Sequence, residues 1–321
     1  MWVGCLFLTT LALAENQTQS QSVLSEPVVL ETPTGKLYGT LDLPKSSPPF
    51  PVALVIAGSG PTDRNGNNSM LPGANNSLKY LAQGLADAGI ASLRYDKRGI
   101  GESMGAMSKE SDLRFDTYIF DAVLWGKRLR EDKRFTTLTV IGHSEGALIG
   151  SVAAQGLKAN GFVSIAGAGS PAYKIIEDQL KGKLPAELQV VSNAILQDLI
   201  AGKTTSEVPP QLAPLYRPSV QPYLISWFQY DPAKEIAKLT IPVMIVQGTT
   251  DVQISVDDAN LLAKANPNAK LLIIDGMNHV LKEVRDPEKQ KNAYSDPSLP
   301  VVPQLISALT SFIKSLNGPH P

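Results

Sequence analysis

The feature that most constrains the fold of this chain is a series of short, unbroken apolar runs. Such runs occupy residues 52–57, 90–95, 138–141, 162–166, 241–246 and 271–274. Apolar runs of this length are typical of strands that are buried on both faces of a parallel sheet. Segments with apolar residues at three-to-four spacing, such as 77–88 and 116–130, lie between the first four runs and predict helices. The alternation predicts a doubly wound, mostly parallel α/β sheet.

Three further segments complete the predicted architecture. Residues 28–43 alternate apolar and polar side chains around Thr34-Gly35, which predicts a β-hairpin, and residues 302–316 predict a closing amphipathic helix. Residues 171–233 contain helical patterns without a buried-strand run, and this interval is too long for a plain connection. We therefore predict a helical lid insertion at 171–233, folded over a core made of residues 28–170 and 234–321.

The N-terminus has the pattern of an export signal. Residues 1–14 are apolar and end in Ala-Leu-Ala, and a polar segment follows at 15–27. This pattern predicts a signal peptide and a secreted or periplasmic protein. An apolar start without a targeting role is the alternative, because no lysine or arginine precedes the run. Cys5 is the one cysteine and lies within this segment, so a processed chain has no thiol for a disulfide, a metal ligand or a nucleophile.

Composition excludes several classes of function. Lysine and arginine total 29 against 30 aspartates and glutamates, which gives a formal net charge of -1 and no electrostatic reason to expect nucleic acid as a partner. No run after the first reaches the roughly 20 apolar residues that a membrane span needs. The three histidines are scattered and form no His-Glu-x-x-His segment. We therefore expect no metal, no cofactor and no stable membrane insertion.

A candidate nucleophile lies in the segment Gly-His-Ser-Glu-Gly at residues 142–146. It matches Gly-x-Ser-x-Gly, with a predicted strand before it and a predicted helix from residue 147 after it. Ser144 is then expected on a sharp turn, where a β-carbon on either flanking glycine would crowd the neighbouring backbone. The hydroxyl would project at a helix N-terminus, whose dipole favours a developing negative charge. The pattern predicts Ser144 as the nucleophile of an acyl-transfer reaction.

A serine hydroxyl needs a base, and few histidines are available for that role. His143 adjoins Ser144, so its side chain is expected to point away and to pack beneath the turn. His320 lies two residues from the C-terminus, where order is not expected. His279 follows the strand predicted at 271–274, in a loop at its carboxyl end. We therefore predict His279 as the base.

The acid that orients the base is predicted from its position after a strand. Asp251 lies just beyond the strand predicted at 241–246, again at the carboxyl end. Asp257 and Asp258 are expected to cap or begin a helix, and Asp275 to end its strand. Asp251 is the predicted third member of a Ser-His-Asp triad, in the chain order serine, aspartate, histidine.

The predicted oxyanion hole combines two backbone amides. One is that of Glu145, directly after the nucleophile, and the other comes from the glycine-rich loop after residues 52–57. The Ser59 amide is our first choice and Gly60 our second. Asp63 and Arg64 lie on the same loop; they either contact substrate or form an internal pair that shapes it. Residues 96–98, Asp-Lys-Arg, are interpreted as a structural turn network.

Three motifs give the chain a family resemblance. They are Gly-Ser-Gly-Pro-Thr-Asp-Arg-Asn-Gly-Asn at 58–67, Arg-Tyr-Asp-Lys-Arg-Gly-Ile-Gly-Glu-Ser at 94–103 and Gly-His-Ser-Glu-Gly at 142–146. Together they resemble the EstD-like bacterial carboxylesterases, which are α/β-hydrolases related to the serine aminopeptidase-type lipases and esterases. The resemblance implies an α/β-hydrolase fold, hydrolysis of a small-molecule carboxylic ester without a cofactor, and the triad Ser144, Asp251 and His279.

The sequence leaves several alternatives open. A peptidase of the proline-iminopeptidase kind would need a carboxylate in the insertion, for which Glu177, Asp178, Glu187 and Asp198 are candidates. A thioesterase or a lipase would use the same triad, and a binding module would have lost its activity. The aromatic residues of the insertion, among them Trp227 and Phe228, either contact substrate or form the insertion's own core. The acyl chain is expected to be short to medium, and the oligomeric state stays open.

Overall fold

One mixed sheet organises the computed structural model, which describes residues 23–316. Its eight strands are β1 (Val23–Thr32), β2 (Gly35–Pro44), β3 (Phe50–Ile56), β4 (Ala91–Tyr95), β5 (Phe135–His143), β6 (Gly161–Ile165), β7 (Val243–Gly248) and β8 (Lys270–Ile274). They are ordered β1-β2-β4-β3-β5-β6-β7-β8. The pairs β1/β2 and β2/β4 are antiparallel, and all pairs from β4 to β8 are parallel. The predicted hairpin and the predicted mostly parallel sheet are confirmed.

Helices cover both faces of this sheet. They are α1 (Ser77–Asp87), α2 (Phe115–Glu131), α3 (Glu145–Leu157), α4 (Ala172–Leu180), α5 (Ala186–Ile200), α6 (Ala213–Tyr216), α7 (Gln221–Trp227), α8 (Pro232–Ala237), α9 (Val256–Ala265), α10 (Gln290–Ala293) and α11 (Pro303–Ser315). Short 3₁₀ helices lie at Gly101–Ala106, Glu110–Asp112 and Pro287–Lys289. The predicted closing helix corresponds to α11.

The apolar runs are buried on both sides because successive side chains of a strand point to opposite faces. In β3, Leu54 and Ile56 join the core beneath α2 and α3, whereas Ala53 and Val55 join the core beneath α1 and α11. Both cores are closed by the apolar stripes of these helices. This arrangement holds the carboxyl ends of the parallel strands at one edge of the sheet, where the loops that follow them meet.

The first strand begins earlier than the sequence predicts. Residues 23–27 were expected in a polar N-terminal segment, but β1 starts at Val23. It is an edge strand whose residues are at most partly buried, so apolar alternation does not mark its start. Polar contacts hold it instead: the Ser25 hydroxyl donates to buried Asp42 at 2.5 Å, and Glu26 pairs with Arg134 at 3.2 Å.

Residues 171–233 contain helices α4 to α7 and the start of α8, and no strand lies within this interval. We call these residues the helical insertion. The next strand, β7, begins at Val243 rather than at Ile241, because Pro242 has no amide hydrogen for the ladder. The predicted signal peptide with Cys5, and also His320, lie outside the described residues. Among residues 23–316, no helix combines the length and apolar character that crossing a bilayer requires.

Candidate active site

Ser144 lies on a strained turn between β5 and α3. Its φ is 56° and its ψ is -122°. Residues other than glycine rarely adopt a positive φ. A β-carbon on Gly142 would lie 2.1 Å from the Gly146 carbonyl oxygen, and one on Gly146 would lie 2.3 Å from the Ile56 carbonyl oxygen. Both distances are far below van der Waals contact. The predicted requirement for glycine on both sides of Ser144 is confirmed.

Asp251 and His279 meet across the loops that follow β7 and β8. His279 Nδ1 lies 2.8 Å from Asp251 Oδ2, and both side chains are almost fully buried. The other oxygen of Asp251 accepts hydrogen bonds from the amides of Gln253 and Ile254, at 2.8 and 3.0 Å. The Gln247 side chain donates to Oδ2 at 3.1 Å. The carboxylate is therefore fixed on both oxygens, and it in turn fixes the orientation of the imidazole.

Opposing effects act on the pKa of Asp251. Burial favours the neutral acid and raises the pKa, but the hydrogen bond and charge of His279 and the amides of Ile254 and Gln253 outweigh it. The net result is a pKa below the usual 3.8. An ionised Asp251 accepts from Nδ1–H, which leaves the lone pair of the neutral imidazole on Nε2. This is the tautomer that can accept a proton from a serine.

His143 is buried and supports the loop of His279. Its Nε2 donates to the His279 carbonyl oxygen at 2.8 Å, and the two rings are 4.9 Å apart. Burial and the neighbouring His279 lower the pKa of His143 to about 4. The ring is therefore neutral at physiological pH. The sequence predicts packing beneath the turn; the structure adds a hydrogen bond to the backbone of the predicted base.

The other candidate acids have partners elsewhere. Asp258 forms a capping box with Ser255 at the start of α9. Asp257 lies beside it in the first turn of that helix. Asp275 is exposed at the end of β8, where its carboxylate pairs with Arg285 at 2.5 Å. The structure thus brings Asp251, and not these carboxylates, to His279.

The glycine loop after β3 lies directly against the nucleophile. A β-carbon on Gly58 would lie 3.1 Å from the Ser144 β-carbon and 3.3 Å from His143 Nδ1. The Gly58 backbone therefore lies so close to Ser144 and His143 that a side chain at position 58 would be crowded. Ser59, Gly60 and Glu145 all line the same cavity as Ser144. The amide of Glu145 is at the first position of α3, where no intrahelical acceptor exists for it. The predicted oxyanion donors therefore lie around the serine.

Asp63 and Arg64 do not pair with each other, nor do they line the cavity of Ser144. The Asp63 carboxylate accepts from the amides of Asn65 and Asn67 at 2.8 and 2.9 Å. The Arg64 guanidinium pairs with Asp96 and Glu102. The Asp63 side chain bonds its own loop, whereas the Arg64 side chain reaches two carboxylates of the segment that follows β4. These partners correct the predicted mutual pair, and contact of either residue with substrate stays a prediction. The two residues shape the loop separately.

The cavity beside Ser144 has a volume of about 370 Å³ and a largely apolar lining. The helical insertion provides much of its wall, including Ile175, Ile176, Pro214, Leu215, Val220, Leu224 and Trp227. Trp227 stacks on Phe115, with ring centroids 5.8 Å apart. Phe228 is absent from the lining; it is buried against Tyr173, with ring centroids 5.8 Å apart. The structure thus places Trp227 in the cavity lining and Phe228 among the buried side chains of the insertion, the alternative that the sequence left open. Contact of either residue with substrate stays a prediction.

A buried polar cluster beside Ser144 is missing from the sequence-based site. Lys97 Nζ lies 2.5 Å from Glu145 Oε2 and donates to the Gly58 carbonyl oxygen at 2.6 Å. The Tyr223 hydroxyl donates to Glu145 Oε1 at 2.5 Å. Asp96 accepts from the amides of Arg64 and Glu102, as a turn network predicts, but Arg98 pairs with Asp121 of α2. Lys97 lies between them in the chain and reaches the segments that flank Ser144. The only signal in the sequence is a charged residue at 145 directly before a small and apolar segment at 146–150.

Two comparisons find sequence similarity to known proteins. A family model described as serine aminopeptidase, S33, matches residues 74–221, a span that includes Ser144 but ends before Asp251. Esterase EstD of Thermotoga maritima is 33% identical over 255 residues, which cover 76% of this chain. The chain spans 58% of the length of that relative.

Solved structures show the same architecture. Est1E from Butyrivibrio proteoclasticus aligns with a TM-score of 0.56 and 18% identity, covering 84% of this chain and 96% of that one. The Pyrococcus furiosus esterase Pf2001 aligns with a TM-score of 0.58 and 17% identity, covering 93% of each chain. The chain has the α/β-hydrolase fold. Its sequence also resembles an esterase, as the three motifs predict.

Proposed function

We propose that the chain is a serine carboxylesterase that hydrolyses small carboxylic esters through an acyl-enzyme on Ser144. One observation carries the proposal: a strained serine opens into an apolar cavity at the sheet edge where His279 and Asp251 are joined at 2.8 Å. A nucleophile, a base and an orienting acid are the groups that acyl transfer requires. The similarity to esterase EstD supports the choice of an ester as substrate.

The proposed reaction has two halves. His279 Nε2 accepts the proton of Ser144 as the serine oxygen attacks the ester carbonyl. The amides of Ser59 and Glu145 stabilise the negative oxygen of the tetrahedral intermediate. His279 then gives the proton to the leaving alcohol, and the acyl group stays on Ser144. Water attacks the acyl-enzyme by the same route in reverse, which releases the carboxylic acid and restores the serine.

The cavity supports an apolar acyl or alcohol group of modest size. About 370 Å³ lies at the lower end of the range for small-molecule sites, which is roughly 300–1,000 Å³. Leu148, Ile254 and the insertion side chains offer apolar surface next to Ser144. A short or medium acyl chain would be desolvated there. Longer chains would have to extend past the helical insertion.

An aminopeptidase is the second candidate, because the matching family model carries that description. Such an enzyme needs a carboxylate to bind the substrate's amino group. Within the described part of the chain, Glu145 is the only carboxylate in the cavity lining, and Lys97 and Tyr223 already occupy both of its oxygens. Glu177, Asp178, Glu187 and Asp198 are absent from that lining. These contacts favour an ester over an aminoacyl peptide.

The test is a series of nitrophenyl esters from acetate to octanoate, run beside the matched nitroanilides and an aminoacyl anilide. We expect ester hydrolysis with a maximum at short or medium chains and little turnover of the amides. Ser144→Ala should lose at least about a thousandfold in kcat while keeping the melting temperature of the wild type. Full activity in that variant would contradict the proposal.

Additional substrates and a probe separate the remaining alternatives. Faster turnover of nitrophenyl esters longer than octanoate would indicate a lipase, and faster turnover of acyl thioesters would indicate a thioesterase. A fluorophosphonate probe labels only an activated serine, so the absence of labelling in the wild-type chain would favour a binding module. Faster turnover of the aminoacyl anilide would favour the peptidase.

A further inference from the structure

The cluster of Lys97, Glu145 and Tyr223 joins three segments that are distant in the chain. Lys97 follows β4, Glu145 begins α3, and Tyr223 belongs to α7 of the helical insertion. The Lys97 and Glu145 side chains are 1% and 2% exposed. Because removing two opposite charges from water is costly, a buried ion pair persists only where its geometry is good and its remaining donors and acceptors are satisfied.

That condition is met here. The Lys97 ammonium donates to Glu145 Oε2 and to the Gly58 carbonyl oxygen, and it lies 4.9 Å from the centre of the Tyr118 ring. Both oxygens of Glu145 are occupied, one by Lys97 and the other by Tyr223. The cluster is therefore a rigid connection and not a loose surface contact.

The positions of its backbone contacts give the cluster its significance. Gly58 directly precedes Ser59, and Glu145 directly follows Ser144. The amides of Ser59 and Glu145 are the two proposed oxyanion donors, so one ammonium group holds both of the segments that supply them. Displacement of a reacting group by about 1 Å is enough to cost roughly a hundredfold in rate. The separation of these two amides is thus a quantity that catalysis would depend on.

We propose that Lys97 is a positioning residue that sets the separation of the two oxyanion amides through Gly58 and Glu145, and that Tyr223 extends this control to the helical insertion. The inference rests on the proposed esterase function and deepens it. Lys97 does not touch the substrate; it acts through the two backbone segments. Tyr223 also lines the cavity. An acyl group packed against α7 therefore contacts the residue that bonds Glu145.

The decisive comparison uses two buried tyrosines of the insertion. Tyr223→Phe removes the hydroxyl that bonds Glu145, whereas Tyr216→Phe removes one that bonds Ser192 at 3.0 Å, away from the cavity lining. We expect Tyr223→Phe to lower kcat for a nitrophenyl ester about tenfold with KM changed less than about twofold, since complete loss of one oxyanion donor costs about a hundredfold to a thousandfold and a displaced donor costs less. Tyr216→Phe should leave kcat within about twofold of the wild type. Equal kcat values in the two variants would overturn the proposal.

A second variant tests Lys97 without leaving a buried charge unpaired. The double substitution Lys97→Met with Glu145→Gln removes both charges and keeps side chains of similar length. We expect kcat to fall about a hundredfold while KM stays within about threefold. Unchanged kcat in a folded double variant would overturn the role of Lys97. If this variant does not fold, the comparison of Tyr223→Phe with Tyr216→Phe decides alone.

The wild-type chain separates this inference from the proposed function. Esters hydrolysed by the wild type, together with an unaffected kcat in Tyr223→Phe, would overturn the positioning role and leave the esterase standing. A wild-type chain that neither hydrolyses esters nor reacts with a fluorophosphonate would overturn both.

Discussion

Two buried carboxylates lie near Ser144, and their partners differ in kind. Asp251 accepts from the imidazole of His279 at 2.8 Å and from two backbone amides. Glu145 accepts from the ammonium of Lys97 and the hydroxyl of Tyr223, each at 2.5 Å. An imidazole can accept and return a proton, whereas an ammonium group has donors only. The first carboxylate can therefore orient a group that moves a proton, and the second can only hold other groups in place.

We therefore expect Asp251 and Glu145 to have different roles within one site. Substitution of Asp251 should reduce activity more than stability, because the His279 imidazole keeps its packing but is no longer held in the tautomer that has its lone pair on Nε2. Substitutions at the Glu145 pair should reduce stability at least as much as activity, because a buried charge is left without its partner. The predictions below test this contrast, beginning with the largest effect.

Of the two carboxylates, Asp251 is expected to show the larger loss of activity, in the variant Asp251→Asn. An amide in place of the carboxylate favours the opposite tautomer of His279, so Nε2 no longer presents a lone pair to Ser144. We expect kcat for a nitrophenyl ester to fall about 10,000-fold with little change in melting temperature. Asp275→Asn is the matched control: its carboxylate is exposed and pairs with Arg285, so kcat should stay within about twofold. Equal losses in the two variants would contradict the assignment of Asp251.

Glu145→Gln should show the reverse pattern. The substitution keeps the size of the side chain but leaves the buried Lys97 ammonium without a carboxylate. We expect the free energy of unfolding, measured by urea titration, to fall by roughly 3–5 kcal/mol at neutral pH. The loss of kcat should be about tenfold, far below that of Asp251→Asn. A variant as stable as the wild type, or one as inactive as Asp251→Asn, would remove the contrast between the two carboxylates.

A smaller effect, confined to acid pH, is expected at His143. Burial lowers the pKa of this ring from 6.5 to about 4, so between those values the unfolded chain binds a proton that the folded chain does not. The wild type should lose about 3 kcal/mol of folding free energy from this residue as the pH falls from 6.5 to 4. The variant His143→Gln keeps a donor for the His279 carbonyl oxygen but does not titrate.

Urea titrations of both proteins across that pH range measure the difference. We expect a flatter pH dependence for His143→Gln, and the same slope in both proteins would contradict the assignment. The pKa shift of Asp251 affects folding stability in a different range of pH. Its lowered pKa gives stability above pH 3.8 that is lost only as the pH falls through the lower folded value.

The residues proposed to perform the chemistry could be found in the sequence because each has a local signal. Ser144 lies between required glycines, His279 is the one histidine of three with a suitable position, and Asp251 follows a recognisable strand. Most strands were predicted for a similar reason, since burial on both faces requires an unbroken apolar run. The start of β1 was not, because an edge strand needs no such run.

The cluster around Glu145 has no comparable signal. Lys97 and Glu145 are separated by 48 positions, and Glu145 and Tyr223 by 78. Charged residues are usually exposed, so nothing in the sequence indicates that these two are buried together. The same holds for Asp63 and Arg64, whose partners depend on the path of the loop. Only the packing of β4, α3 and α7 shows which charges meet.

The central claim is that Ser144 carries the acyl group, and a trapped intermediate tests it most directly. A nitrophenyl ester is mixed with excess enzyme and quenched in acid within the first turnover, and the digested protein is analysed by mass spectrometry. We expect one acyl adduct on the peptide that contains Ser144, and none in Ser144→Ala. An adduct on another residue, or hydrolysis by Ser144→Ala at the rate of the wild type, would contradict the account.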